Sequence, residues 1–396
     1  MAAFNPNERT APTIISGQRG HEQLNTVRVV PEVSDQILMY LPEATPLLTL
    51  TGKMREKRVV FNPTFQWLEK DQYPRVTTAA TAQDDDDTTV DVAAGTGSRY
   101  AANYLLKNLT TGEVILVTTV STDTLTITRG IGGNAAPITI GDKLLFIGTA
   151  YEDGADIGTL KSIQEFNLFN YTQIFRTPFG FTGRDLVVEL FGGRDKTTET
   201  KAATIEHKKS IEYGMFFGRR NLSTGTHQRT MTGGLDYFIA TNAWNVAGTP
   251  LNERTFNEFL EQGMKWGLGG NMSKGAGKKY LLASSRWLTE INDWAGKKLQ
   301  YRVLDEQIGF AAVEYVSPHG SVMLLRAPLL DEYHPDRAYL VDLNHLRYAS
   351  LRDRDTRLLQ NRQGPGIDGE SHEYLSDVGI QVEFEQSHGV LMGLSV

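Results

Sequence analysis

The chain has 396 residues, room for two or three domains and a sizeable core. An apolar share of 40%, a charged share of 22% and a net charge of −7 fit a soluble globular protein and point away from a dedicated nucleic-acid binder. Cysteine is absent, which excludes disulfides, thiolate catalysis and cysteine-ligated zinc. No apolar run approaches the ~20 residues of a membrane span. The longest, Val322-Met323-Leu324-Leu325 and Leu144-Leu145-Phe146-Ile147, are strand-sized. The start, Met1-Ala2-Ala3-Phe4-Asn5-Pro6, carries neither the basic nor the apolar part of a secretory signal, so a cytoplasmic protein, or one released by lysis, is expected.

Residues 1–50 hold Pro6, Pro12, Pro31, Pro42 and Pro46 and read as an extended polar arm. One short helix fits between Pro31 and Pro42. Residues 57–67 alternate as a strand that puts Val59, Phe61, Phe65 and Trp67 on one face, with Pro63 confining it to an edge or a bulge. Residues 76–98 are poor in apolar side chains and include the run Asp84-Asp85-Asp86-Asp87. From 99 to 150 the pattern is a self-contained β unit. Its strands are near 100–107, 113–120, 124–129 and 142–150, separated by Thr111-Gly112, Ser121-Thr122-Asp123 and Gly130–Asn134. The aromatic stretch 162–182 suits a partner for 57–67. That pairing makes 76–152 an insertion at the tip of a long two-stranded loop.

Lys196 to Phe217 contains no proline and follows Asp195, a good N-cap; Arg219 and Arg220 lie at the far end, where the helix dipole favours cations. Between Thr197 and Glu212 the only apolar residues are Ala202, Ala203, Ile205 and Ile211. A helix so polar all round reads as a bridge or a support, not as a core element. Further on, Thr255 and Glu258 form a capping-box pattern ahead of the stripe Phe256, Phe259, Leu260 and Met264. Tyr280–Ala283 is a buried strand, 286–294 a helix, and further strands are expected at 311–316, 321–325, 339–342, 346–350 and 379–385. Strands and helices in runs, without strict alternation, predict an α+β fold.

Local signatures of catalysis are weak. Gly130-Ile131-Gly132-Gly133-Asn134-Ala135 has dinucleotide-type spacing, but Pro137-Ile138-Thr139 follows where a helix should begin. The basic glycine-rich stretch 267–279 lacks phosphate-loop spacing. The aspartates at 84–87 miss the EF-hand pattern, and the eight histidines have no metal spacing. No catalytic, cofactor-binding or metal residues are assigned, no cofactor is expected, and a non-enzyme is predicted. Arg352-Asp353-Arg354-Asp355-Thr356-Arg357 alternates in sign, as a solvated face does, or as a contact between subunits where arginine pairs set register.

Taken in order, these pieces resemble the major capsid proteins of tailed bacteriophages, with the fold first described for phage Hong Kong 97. The resemblance rests on Phe65-Gln66-Trp67-Leu68-Glu69-Lys70-Asp71, the hairpins of 113–142 with Thr128-Arg129-Gly130, and Asn170-Tyr171-Thr172-Gln173-Ile174-Phe175. It also rests on Gly320-Ser321-Val322-Met323-Leu324 and on Tyr339-Leu340-Val341-Asp342 followed by Leu346-Arg347. It covers nearly the whole chain. It implies an N-terminal arm (1–50), extended loop strands (51–75 and 153–185) and an inserted all-β domain (76–152). It further implies a peripheral domain (186–250 and 335–396) with a spine helix at about 195–218, and an axial domain (251–334). The function implied is self-assembly into hexamers and pentamers of an icosahedral head around double-stranded DNA, in the host cytoplasm and away from membranes. Partners implied are other copies, a separate scaffolding protein, a portal, a decoration protein as a further candidate, and DNA held without sequence specificity. Candidate contacts between copies are Trp67, Tyr73, Phe169, Tyr171, Phe175, Arg352, Arg354 and Arg357. The alternative reading is a β-rich virion surface or tail binding module.

Overall fold

A computed structural model describes residues 45–53, 57–70, 75–188, 195–246, 251–265, 278–295, 299–303 and 311–394. The chain divides into two compact units, one of residues 64–170 and one joining 1–63 to 171–396.

In the smaller unit six short strands run in the order Val76–Thr78, Lys143–Thr149, Tyr104–Asn108, Val114–Ser121, Thr124–Thr128, Thr89–Asp91. The two outer strands then meet each other. Ala79 bridges Val92, the Ala80 amide donates to the Asp91 carbonyl at 2.8 Å and the Ala93 amide to the Thr78 carbonyl at 3.0 Å. The sheet thus closes into a small barrel without free edges. Alternation fills it from every strand, with Val90, Leu106, Ile115, Val117, Leu125 and Leu144 all fully buried. Outside the barrel, Thr64–Glu69 pairs with Phe166–Tyr171.

The expected single strand over 57–67 is broken. Pro63 has no N–H to give to a ladder, and 61–63 form a bend between two short strands. Arg58–Val60 runs parallel to Leu346–Leu351, leaving Val59 and Phe61 exposed, whereas Phe65 and Trp67 are buried in the other unit. The aromatic stretch is divided as well. Phe166–Tyr171 takes Thr64–Glu69 as its partner, but Gln173–Thr182 forms a ten-pair antiparallel ladder with Gly369–Val382.

In the larger unit a seven-stranded sheet has the order Ala243–Asn245, Gly389–Met392, Ala338–Val341, Lys278–Ala283, Gly320–Arg326, Ala311–Ser317, Leu299–Val303. Its central strands carry the unbroken apolar runs 280–283, 322–325 and 338–341 because both faces are covered there. Tyr280, Leu282, Met323, Leu325, Tyr339 and Val341 face one core; Leu281, Ala283, Val322, Leu324, Ala338 and Leu340 face another. Helices Glu253–Lys265 and Ser285–Ala295 close the second core with Phe256, Phe259, Leu260, Trp287 and Ile291. The sheet reaches beyond 251–334 by recruiting strands near 243, 338 and 389. Helix 253–265 also starts one turn earlier than its capping-box pattern suggests: Asn252 Oδ1 accepts from the Thr255 amide at 2.9 Å, so Asn252 is the cap.

A five-stranded sheet of Arg58–Val60, Leu346–Leu351, Gly369–Val382, Gln173–Thr182 and Arg357–Leu359 carries the long helix, α1 (Asp195–Phe217). This helix has an inside after all. Ala203, His207, Ile211 and Met215, four residues apart, are buried together with Ile205, Glu212 and Phe216. Its polar members are satisfied within the fold: His207 meets Thr177 Oγ1 at 3.0 Å and Ser376 Oγ at 2.7 Å, and Thr204 Oγ1 donates to the Tyr374 hydroxyl at 2.8 Å. Hydrogen-bonded polar groups serve where apolar ones were expected, so the periodicity is hidden.

The C-terminal end of α1 is fixed by two glycines in close contact. The Gly234 amide donates to the Gly218 carbonyl at 2.7 Å, and a Cβ on Gly234 would lie 2.7 Å from the Met215 carbonyl oxygen and 2.8 Å from the Gly218 nitrogen. Backbone on every side leaves nothing soft to yield. Gly234→Ala is therefore expected to cost about 1–3 kcal/mol by overpacking. Gly225→Ala, with no atom within 4 Å of the new Cβ, is expected to fall within about 0.5 kcal/mol of wild type. Urea denaturation of both variants checks the contrast.

Candidate assembly surface

The expected extended arm ends differently from its sequence reading: Pro46–Lys53 is helical. Its Leu47 and Leu50 are fully buried in the same core as Ile211, Met215 and Phe216 of α1. Glu212, fully buried in α1, accepts from the Leu47 and Leu48 amides at 3.3 Å each, meeting the first-turn N–H groups of the short helix. Burial pushes the Glu212 carboxyl up to about 8 against the pull of those two amides. The expected helix between Pro31 and Pro42 lies outside the described residues.

The candidate contact residues separate into three groups. Trp67 and Phe175 are covered by their own chain. Trp67 stacks on Phe65 and donates Nε1–H to Glu69 at 2.8 Å; the Phe175 ring rests on Gly214 of α1, where a Cβ would come within 2.7 Å of it. Both side chains are buried within their own chain. Phe169 and Tyr171 are half-buried on Phe166–Tyr171, and Tyr73 lies outside the described residues. In the arginine run, Arg354 is tied to Asp377 at 3.1 Å, and Asp355 takes both Lys57 at 2.9 Å and the Tyr348 hydroxyl at 2.9 Å. Arg352 lies over the Phe61 ring and Arg357 is exposed at the start of a strand. Arg352 and Arg357 therefore keep an outward face, whereas Arg354 serves its own fold.

Sequence reasoning missed the apolar side chains left open on one strand and on bend, turn and irregular segments. Phe61 is 72% exposed, Val187 82% and Leu68 69%; in the stretch after the barrel, Ile157 is 90% and Leu160 89% exposed. A usable signal was an isolated large apolar residue in a stretch with no strand or helix pattern to bury it.

The glycine-rich motifs take structural roles where they are described. Gly130 begins a turn at φ 64°, its amide donates to Glu113, and Ile138 then joins a bridge with Gln83 instead of starting a helix. Residues 267–277 lie outside the described residues. Lys279, read as part of a basic surface loop, is buried: its Nζ donates to the Gly263 carbonyl at 2.6 Å and to that of Ser387, and burial lowers its ammonium to about 8. His388 beside it accepts from the Asp342 amide at 3.2 Å and is pushed down to about 4 by burial and by Lys279. Both groups knit strand ends together inside the fold.

A long helix laid across a β ladder, a second sheet clamped between cores and a strand pair leading to an inserted barrel define the α+β fold of tailed-phage capsid shells. The chain belongs to the SU10 major capsid protein family, whose model matches residues 15–395. That family is structural and not enzymatic. A curated relative, the major capsid protein of Pseudomonas phage PaMx41, is 32% identical over 151 residues, which are 38% of this chain and 35% of that protein. The chain thus spans about a third of the length of that relative. Among solved structures, the capsid asymmetric unit of cyanophage A-1(L) is similar at a TM-score of 0.50 and 13% identity, over 94% of this chain and 99% of that one. The capsid of an empty GTA particle gives 0.48 and 10%, over 95% and 98%.

Proposed function

We propose that this chain is the building block of a phage head, forming hexameric and pentameric capsomers that close into an icosahedral shell around double-stranded DNA. The observation that carries this reading is the set of large apolar side chains left open to solvent, Leu68 on a strand and Phe61, Ile157, Leu160 and Val187 on bend, turn and irregular segments. A monomer would bury them; repeated copies can cover them with one another. In this reading α1 is the spine of a peripheral domain, the seven-stranded sheet supports an axial domain, and the strand pair 64–69 and 166–171 is the base of a loop reaching a neighbour. Net charge of −7 suits DNA that is confined rather than read. A separate scaffolding protein and a portal complete the assembly.

Negative-stain electron microscopy beside sedimentation velocity tests it. Rings, tubes or closed shells are the expected result. A monomer that persists at high concentration, with and without the co-expressed phage assembly proteins, would overturn the reading and favour a surface or tail binding module.

A further inference from the structure

Charge is divided unevenly between the two units. Residues 64–170 hold fourteen Asp and Glu against seven Lys and Arg, so the whole net charge of −7 resides there and the rest of the chain is neutral. Asp84–Asp87 is the densest part, exposed except for the half-buried Asp87, on the loop between Val76–Thr78 and Thr89–Asp91. Among the described residues none of these four aspartates forms an ion pair. Four like charges in a row repel one another and gain most from an external cation.

The larger unit holds a site of opposite character. On the face of the Gln173–Thr182 and Gly369–Val382 ladder turned away from α1 lies an open bowl of about 490 Å³. Arg176 and Arg362 stand at its wall, about half exposed, and share one buried carboxylate, Glu373. Arg176 grips it through Nε at 3.0 Å and Nη2 at 2.7 Å, whereas Arg362 reaches it through Nε alone at 3.3 Å. One carboxylate between two guanidiniums leaves a net positive charge. The terminal nitrogens of Arg362 have no partner among the described residues. Gly180 and Ser371 line it; a Cβ on Gly180 would lie 2.9 Å from the Glu370 carbonyl and 3.3 Å from Ser371 Oγ, so a larger residue at 180 would press on the neighbouring strand. Glu373 orients the planar donors, and Arg362 has the fork that pairs bidentately with a carboxylate.

We propose that the Arg176–Arg362 bowl is the receptor for the Asp84–Asp87 run of a second copy of this chain, a contact that rests on the assembly reading above. It ties the barrel of one copy to the five-stranded sheet of another. The pair is electrostatic and partly solvated, so it sets register and weakens with salt.

A charge swap tests it. Arg362→Glu and Asp85→Lys/Asp86→Lys are made separately and together, and assembled fractions are compared by sedimentation at low and high salt. Asp85 and Asp86 are exposed, so an unchanged melting temperature is expected for that variant. Arg362→Glu gives up one bond to Glu373, which Arg176 still holds, so a small drop is expected there. Arg362→Gln, which removes the charge without adding a carboxylate, must lose assembly as well. Each separate change is expected to lower the assembled fraction about tenfold, the scale of one close interfacial charge pair, and the combined swap to restore it. Wild type failing to assemble would remove the assembly reading and this contact with it. Wild-type shells with full assembly of Arg362→Glu would overturn the receptor alone. A loss not restored by the swap would overturn the aspartate run as its occupant. Normal assembly of Arg362→Glu with lost retention of duplex DNA would overturn the proposal in favour of a phosphate ligand.

Discussion

Replacing Arg129 with methionine is expected to destabilise the barrel unit by about 3–5 kcal/mol while leaving the larger unit unchanged. The Arg129 side chain is 8% exposed and that of Glu113 1%, so the pair sits in the barrel wall, away from water. Nε meets one carboxylate oxygen at 2.8 Å and Nη2 the other at 2.8 Å; Nη1 donates to the Asp84 carbonyl at 2.7 Å and Nη2 also to that of Ala136. Glu113 in turn accepts from the Gly130 amide at 3.1 Å and the Ala136 amide at 3.3 Å. One ion pair therefore fixes the glycine-rich turn and the acidic loop together. Methionine keeps the volume but leaves a buried carboxylate with only two amides to face, and an uncompensated buried charge is the costly case.

The pH dependence separates this account from simple loss of packing. Burial raises the Glu113 carboxyl, but Arg129 and the two amides outweigh it and hold it below its ordinary 4.5. A depressed folded value means stability that is present above the unfolded value and lost as pH falls through the folded one. Without Arg129 the burial effect wins, the carboxyl rises, and protonation relieves the damage. The deficit of the variant is thus expected to shrink on acidification toward pH 4, where wild type begins to weaken. Hydrogen exchange read separately over 104–128 and 278–341 checks both parts. A deficit shared by the two regions, or one independent of pH, would sink the argument.

Whole-chain features were legible in the sequence where one physical term dominates. The strands of 278–283, 320–326 and 338–341 show through the apolar runs 280–283, 322–325 and 338–341, because two-sided burial favours apolar side chains there. The barrel shows because short strands need Gly112 and Gly141 at positive φ to turn. Polar groups buried in pairs were opaque. His207, Glu212 and Ser376 are inside, yet each reads as surface until its partner, at least 160 residues away, is known. The same holds for Gly369–Val382: the sequence predicts a strand only from 379, because His372, Glu373, Ser376 and Asp377, all buried, hide the earlier part. Of the candidate contacts, the aromatic alternation of 65–67 and 173–175 does not distinguish a side chain facing a neighbour from one facing its own helix. Arg352 and Arg354 differ in role because Asp377 lies within reach of only one of them. Two units that fold around separate cores also explain why the strand at Pro63 fails: its halves answer to different hydrophobic centres.

Glu212→Gln is expected to remove most of the pH dependence of the larger unit between pH 5 and pH 8. The carboxyl lies fully buried in α1, and burial lifts it from 4.5 to about 8 in the folded chain. A raised folded value means a contribution that is complete below the unfolded 4.5 and is lost as pH rises through the folded one, because the native state holds a proton that the unfolded chain has released. The loss across that window is on the order of 4 kcal/mol, because each pH step between the unfolded and folded values is worth about 1.4 kcal/mol. Glutamine reproduces the shape and the neutral charge. Its carbonyl oxygen accepts from one of the Leu47 and Leu48 amides, but its NH2 cannot accept from the other as the acid's hydroxyl oxygen can, so near pH 5 the variant should be the less stable by about 1–3 kcal/mol. By pH 8 that deficit should have closed or reversed, because only wild type loses stability across the window, and one of the Leu47 and Leu48 amides, left without its acceptor, should exchange faster in the variant at every pH. Urea denaturation at pH 5, 6.5 and 8 follows the first effect and hydrogen exchange over 46–53 the second. A wild-type stability that is flat or rising across this window would mean that the two amides and the helix end hold Glu212 ionised despite its burial. The N-terminal helix would then be anchored by a buried anion, and Glu212→Gln would weaken it at every pH.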